Sequence, residues 1–195
     1  RSAKTTRIDW KNVGKLLPGD EIVLHDHHNA RWGGKGTKEE GWLLGSLLGD
    51  GNIEKDGKAN LDYWGEDQPV MMQNAVALVH ATVGGRSDLT GHVAKTGYAR
   101  VGSTRLGQLA QSYGMSYQNK IVTQEIQEAS AEFYEGFLQG WFDADGSIQG
   151  SQQKGVSVRL SSSSLQNLQS AQRMLARLGI ISTIYPNRRK AGMRI

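Results

Sequence analysis

An α+β fold with an internal repeat is what this sequence predicts, and three observations predict it. The run Gly41-Trp42-Leu43-Leu44-Gly45-Ser46-Leu47-Leu48-Gly49-Asp50-Gly51 returns ninety-five residues later as Gly136-Phe137-Leu138-Gln139-Gly140-Trp141-Phe142-Asp143-Ala144-Asp145-Gly146. In each copy small residues recur at every fourth place, which stacks them on one helix face. After each copy come short runs alternating apolar and polar residues, the period of half-buried strands. Finally, the order helix, strand, strand, helix, strand is run through twice.

The elements follow in chain order. Residues 1–30 stand outside the repeat; Leu16-Leu17-Pro18-Gly19-Asp20 reads as a turn, with a short strand through Leu24. His25-Asp26-His27-His28 alternates faces and chelates poorly, so it reads as a solvated connector. Gly33-Gly34-Lys35-Gly36 lacks the spacing of a phosphate-binding loop and reads as a flexible linker. A helix over 39–49 stops at Asp50-Gly51. Strands are expected around Ile53 and over 59–64, with Ala59, Leu61 and Tyr63 inward and Asn60, Asp62 and Trp64 outward. Pro69 opens a helix running to about Thr82, ended by Gly84-Gly85. Strands near 91–95 and 98–101 and a helix over 104–112 complete the first copy. In the second, a helix over 130–144 leads to strands near 147–149 and 156–161. A helix over 163–178 burying Leu165, Leu168, Leu175 and Leu178 follows, then a strand over 180–185. The implied division is an entry segment and linker (1–36), a first repeat (37–129) and a second (130–195).

Composition narrows the function. With no cysteine among 195 residues, disulfides, zinc-thiolate sites and thiol nucleophiles are excluded. No apolar run reaches membrane-spanning length and no signal-peptide pattern opens the chain, so a cytoplasmic, reducing setting and no membrane partner are expected. A net charge of +4 suits an anionic partner. The glycine ladder leaves a bare helix face that another backbone can approach closely. If the two laddered helices pack side by side, Asp50 and Asp145 arrive together at their C-termini. Two carboxylates there repel each other and face the negative ends of both helix dipoles. Such a pair is costly without a cation, so the residues point to a metal site on a pseudo-twofold axis.

The nonapeptides Leu43–Gly51 and Leu138–Gly146 resemble the two signature helices of the LAGLIDADG homing endonucleases. The second is nearly the family consensus; the first departs from it at Ser46 and Leu48, neither of which is the metal-binding eighth position. The resemblance implies two αββαββα repeats with these helices at their interface and a saddle-shaped antiparallel sheet, the second repeat here being incomplete. It further implies a monomeric enzyme that cuts both strands of double-stranded DNA across the minor groove, leaving short 3′ overhangs. Two or three divalent cations, Mg²⁺ by expectation, would be held by Asp50 and Asp145 with the carbonyls of Gly49 and Ala144. Lys120, in Asn119-Lys120-Ile121-Val122, sits where intein-type members of the family carry a catalytic lysine, with Val122 replacing the usual proline. Its counterpart in the second repeat would fall past Ile195. The segment Ile8-Asp9-Trp10-Lys11 with Leu16–Leu24 resembles the edge of an intein splicing domain, so the remainder of such a domain is a possible partner. Residue 1 is neither Cys nor Ser and no terminal His-Asn is present, so splicing by this chain alone is not expected.

The polar faces of the strands suit the major groove, where side chains read base edges. Candidate DNA contacts are Lys55, Lys58, Asn60, Arg86, Lys95, Arg100, Gln149, Gln152, Lys154, Arg159, Arg188, Arg189 and Lys190, the last three forming the strongest phosphate-binding run. A DNA-binding module that has lost its chemistry, or an RNA-splicing maturase, are the alternatives.

Overall fold

Two helices with glycine ladders lie against each other along their length in the computed structural model, which describes residues 8–23, 30–84, 91–93, 97–151, 153 and 155–185. Helix α1 is Lys38–Asp50 and helix α5 is Ala131–Asp145. Between them run strands β1 (Gly51–Ile53) and β2 (Ala59–Tyr63), helix α2 (Gln68–Val83), strands β3 (His92–Val93) and β4 (Ala99–Ser103), helix α3 (Thr104–Ser112) and a single-turn helix α4 (Gln124–Gln127). Strands β5 (Gly146–Ser151) and β6 (Gly155–Leu160) and helix α6 (Leu165–Arg177) follow α5.

Local chemistry starts these helices. Thr37 accepts from the amide of Glu40, while the Glu40 carboxylate accepts from the amide of Thr37, a closed capping box. Ser103, Thr123, Ser130 and Ser164 cap α3, α4, α5 and α6 by one bond each, their hydroxyls accepting the amides of Leu106, Ile126, Phe133 and Asn167. The glycines then decide how α1 and α5 meet. A Cβ on Gly45 would overlap the carbonyl oxygen of Phe137, one on Gly41 that of Phe133, one on Gly136 that of Lys38, and one on Gly140 that of Trp42. Each helix therefore uses its ladder to admit the other's backbone, and Leu43, Leu44, Leu47, Phe133, Phe137 and Trp141 close over the seam, fully buried. At about 25 cal/mol per Å² of apolar surface, large aromatic side chains supply much of the driving force here.

The first sheet is antiparallel in the order β1-β2-β4-β3. Ala59, Leu61, Ala99 and Val101 face inward and are buried. The opposite face pairs Asn52 with Asn60, and Asp62 with Arg100. The second sheet is the β5-β6 hairpin, which pairs Ile148 with Val158 on one face and Ser147 with Arg159 on the other.

Several expectations need correction. Gly51 and Gly146 end their helices as expected, but with extended backbone, at φ −96° and −82°. They are glycine because of space, since a Cβ at Gly51 would lie 2.6 Å from Leu47 Cδ1 and 2.7 Å from the Asn60 carbonyl oxygen. Asn60 keeps the outer face but is covered there, giving its side-chain amide to Glu54 Oε1 at 2.7 Å. Helix α6 buries Asn167, Ser170, Ala171 and Met174, while Leu165 lies open. Small and polar residues hold the closest approach because Asn167 Oδ1 accepts the buried amide of Val122 at 3.0 Å, while Leu175 and Leu178 are partly buried against the core. Val156 and Val158 are exposed, together with Ile148, because the hairpin has no counterpart of β4 or α3 packed on it among the described residues. Residues 180–185 lie outside any strand, as do 21–23.

The glycine-rich segment before α1 is a clamp rather than a loose tether. Trp32 donates its indole N–H to Ala129 O at 2.8 Å. The carbonyls of Trp32 and Lys35 accept the amides of Ala131 and Ser130 at 3.2 and 3.0 Å, and Gly36 O accepts the Ser130 hydroxyl at 2.7 Å. Gly36 has φ +95°, and a Cβ there would strike the Tyr113 hydroxyl.

Candidate metal and DNA site at the helix seam

The two laddered helices run out together at Asp50 and Asp145. Because each passes directly into a strand, both acids are held where helix and sheet join. Their proximity shows in their electrostatics. Burial raises the Asp50 carboxyl above its ordinary range, and the charge of Asp145 raises it further, offset in part by Lys120. Asp145 is tied to the seam from its own helix, one oxygen accepting the indole N–H of Trp141 at 3.1 Å. Gly49 completes the approach, since a Cβ placed on it would lie 3.5 Å from that same oxygen.

Lys120 reaches this point from the loop before α4. Its ammonium donates to Gly49 O at 3.1 Å and to Gly51 O at 2.5 Å. Burial pulls its pKa below the usual lysine range, while the charges of Asp145, Asp50 and Asp62 pull the other way. The structure thus gathers Asp50, Asp145, Gly49 and Lys120 at one place, with Ala144 packed beside Gly49. A cleft of about 220 Å³ opens next to Asp50, lined among others by Ser46, Asp62, Tyr63, Asp143 and Ala144. The donor set fits a hard divalent cation, which takes carboxylate and carbonyl oxygens.

Four neighbours of this site escape a reading by motif alone. Trp141 and Asp145 stand four apart on one helix, a spacing that could have revealed their contact. Trp42 donates its indole N–H to Asp143 at 3.0 Å across the interface, a pairing between helices that no sequence spacing signals. Asp62 forms a two-pronged pair with Arg100, at 2.6 and 2.7 Å. Tyr63 buries its hydroxyl without a partner among the described residues, and burial together with the charges of Asp50 and Asp62 pushes its pKa up.

The candidate DNA contacts divide. Lys55 is exposed and lies over the Tyr117 ring at 5.8 Å. Lys58 is half-buried and packs against the Gly102 position. On the polar face of β5-β6, Arg159 donates to Gln149 Oε1 and to Ser157 Oγ, the latter at 3.0 Å. Arg100 is committed to Asp62, and Asn60 is covered, so both are organised into the sheet instead of standing free. Arg86, Lys95, Gln152, Lys154, Arg188, Arg189 and Lys190 lie outside the described residues, as does the 25–28 histidine cluster.

No helix among the described residues is long and apolar enough to cross a membrane. Residues 132–195 match the LAGLIDADG-like domain family. The chain is 24% identical over 201 residues to the ribonucleoside-diphosphate reductase NrdEB subunit alpha of Bacillus subtilis (strain 168), covering 94% of this chain and 18% of that protein. The corresponding subunit of Bacillus phage SPbeta gives the same figures. The chain thus spans less than a fifth of the length of these relatives. Among solved structures, mesophilic variants of the homing endonuclease I-DmoI match with a TM-score of 0.55 at 18% identity, over 76% of this chain and 80% of theirs. I-DmoI in complex with DNA and Mn matches at 0.54 and 18%, over 76% and 81%. The doubled ladder, the family match over residues 132–195 and the shared architecture agree: the chain has the fold of the homing endonuclease I-DmoI.

Proposed function

We propose that the chain is a sequence-specific DNA endonuclease that hydrolyses one phosphodiester bond in each strand. The observation that carries this reading is the meeting of Asp50, Asp145 and Lys120 at the paired helix ends, a convergence that packing alone does not require. A divalent cation bound there, Mg²⁺ or Mn²⁺, would polarise the phosphate and lower the pKa of an attacking water. Asp50 and Asp145 hold the charge that recruits it, and the carbonyls of Gly49 and Ala144 are the adjoining donors. Lys120, kept close by two backbone carbonyls, is placed to exchange one of them for the anionic phosphate as negative charge develops. The strand faces carrying Lys55, Lys58, Gln149 and Arg159 would meet the duplex, with Arg86, Lys95, Gln152, Lys154 and the 188–190 run as further contacts. Asn60 and Arg100 would act by fixing Glu54 and Asp62. I-DmoI, whose structure holds DNA and Mn, supports this assignment of substrate and metal. One molecule carries both acids, which supports action as a monomer, and short 3′ overhangs follow from the family resemblance.

An intein setting fits two further observations. The relatives are far longer than the matching segment, as expected of a unit embedded in a host protein. Residues 8–23 also leave Ile8, Trp10, Val13, Leu17 and Ile22 exposed, apolar surface suited to the rest of a splicing domain. We further propose 1–36, 37–129 and 130–195 as the functional divisions.

Selection from a randomised duplex library in Mg²⁺ and Mn²⁺ tests the activity, with one long preferred cleavage site as the expected result. Duplex binding without cleavage in either metal would instead assign a binding module, and tighter binding to structured intron RNA a maturase. Lys120→Met should slow cleavage of the selected site by about 10²-fold or more while leaving duplex affinity little changed; single-turnover rates and filter binding check both halves.

A further inference from the structure

Among the described residues the second acid accepts a side-chain hydrogen bond that the first does not. Trp141 is buried to within 1% of its surface, and its indole N–H donates to Asp145 Oδ2 at 3.1 Å. The ring is locked by its neighbours, edge-on to Phe137 with centroids 6.2 Å apart, so the donor's direction is fixed by the core. An ionised carboxylate offers about four lone-pair sites, and one hydrogen bond leaves room for a cation. Ninety-five residues earlier the equivalent repeat position is Ser46, whose hydroxyl donates to Gly140 O at 3.5 Å. The pseudo-twofold relation is therefore broken at a donor beside the acid.

We propose that Trp141 is a positioning residue that orients the Asp145 carboxylate for divalent-cation binding, so that the second acid is preset by a contact for which Asp50 has no equivalent among the described residues. This rests on the reading of Asp145 as a metal ligand. Groups that hydrogen-bond to metal ligands commonly tune affinity by about 10- to 100-fold, and a single hydrogen bond to a charged group lies at the low end of that range.

Two measurements test it with the DNA-free chain. Mn²⁺ binding, followed by the electron paramagnetic resonance signal of the free ion, should weaken about tenfold in Trp141→Phe and be lost in Asp145→Ala. Adding Trp141→Phe to Asp145→Ala should change nothing further. Unchanged Mn²⁺ affinity in Trp141→Phe, with binding lost in Asp145→Ala, overturns the positioning role and leaves the metal site standing. Unchanged affinity in Asp145→Ala overturns the metal reading itself. The second measurement is independent of the stability of the tryptophan variant. In ¹⁵N-labelled protein the Trp141 indole N–H resonance should move upfield in Asp145→Ala and shift on Mg²⁺ addition in the wild type; a resonance indifferent to both sinks the proposal.

Discussion

Gly45→Val should leave the chain largely unfolded. The glycine Cβ position overlaps the carbonyl oxygen of Phe137 and comes within 2.9 Å of the Trp141 amide nitrogen. Backbone atoms on a helix cannot swing aside as a side-chain end can, so the helices must separate. Separation exposes Leu44, Leu47, Phe137 and Trp141, all buried in the seam. Burial of each such side chain is worth about 2 kcal/mol, so a loss of about 8 kcal/mol is expected for the four, comparable to a typical total stability of about 5–15 kcal/mol. Urea denaturation followed by circular dichroism gives the number. Gly33→Val is the matched control, because a Cβ at Gly33 meets nothing within 4 Å. It should change stability by no more than about 0.5 kcal/mol. Equal effects of the two substitutions would refute the close approach of the helices.

Asp50→Asn and Asp145→Asn should each abolish double-strand cleavage, lowering it by about 10³-fold or more, while duplex binding survives nearly intact. Asp50→Asn carries a second expectation with a defined sign. The folded-state pKa of Asp50 is raised above its ordinary 3.8, so the folded protein holds this proton more tightly than the unfolded chain. Stability contributed by this group is present below the ordinary value and is lost as pH rises through the raised one. At neutral pH the ionised carboxylate is thus a net cost in the absence of metal. Asparagine removes that cost, so the variant should melt higher than wild type in chelator at neutral pH, with the difference vanishing toward acid pH. Millimolar Mg²⁺ should reverse the order by stabilising the wild type alone. Melting curves at several pH values with and without Mg²⁺ check both signs, and a variant that melts lower in chelator would show that Asp50 is not strained by its surroundings.

The parts of this architecture legible in the sequence were those in which one residue type has one physical use. Small residues at every fourth place of two helices leave few meanings, and the repeat sets Asp50 and Asp145 at equivalent helix ends. Strand β2 was readable from Ala59 and Leu61 because alternation reports one covered face. The same rule misjudged Val156 and Val158, which alternate correctly but lie on a hairpin that has no third strand beside it among the described residues. Periodicity reports what a face is suited to meet, not whether it does. Asn60 failed for a different reason: its amide is satisfied by Glu54, a contact set by hairpin geometry. In α6, the leucines drew attention while Asn167 made the decisive contact with a backbone amide. The glycines 33–36 suggested looseness, yet a short glycine segment can equally be what fits against another backbone.

The clasp of residues 32–36 on the start of α5 bears on how neighbouring sequence could pull on this protein. The Ser130 and Ala131 amides, left without helical acceptors at the start of α5, take theirs from Lys35 and Trp32. A polypeptide joined ahead of residue 30 is therefore anchored on the far half of the molecule before it enters the near one. Mechanical load arriving from that side is shared by both halves at once, and does not peel α1 away from its mate.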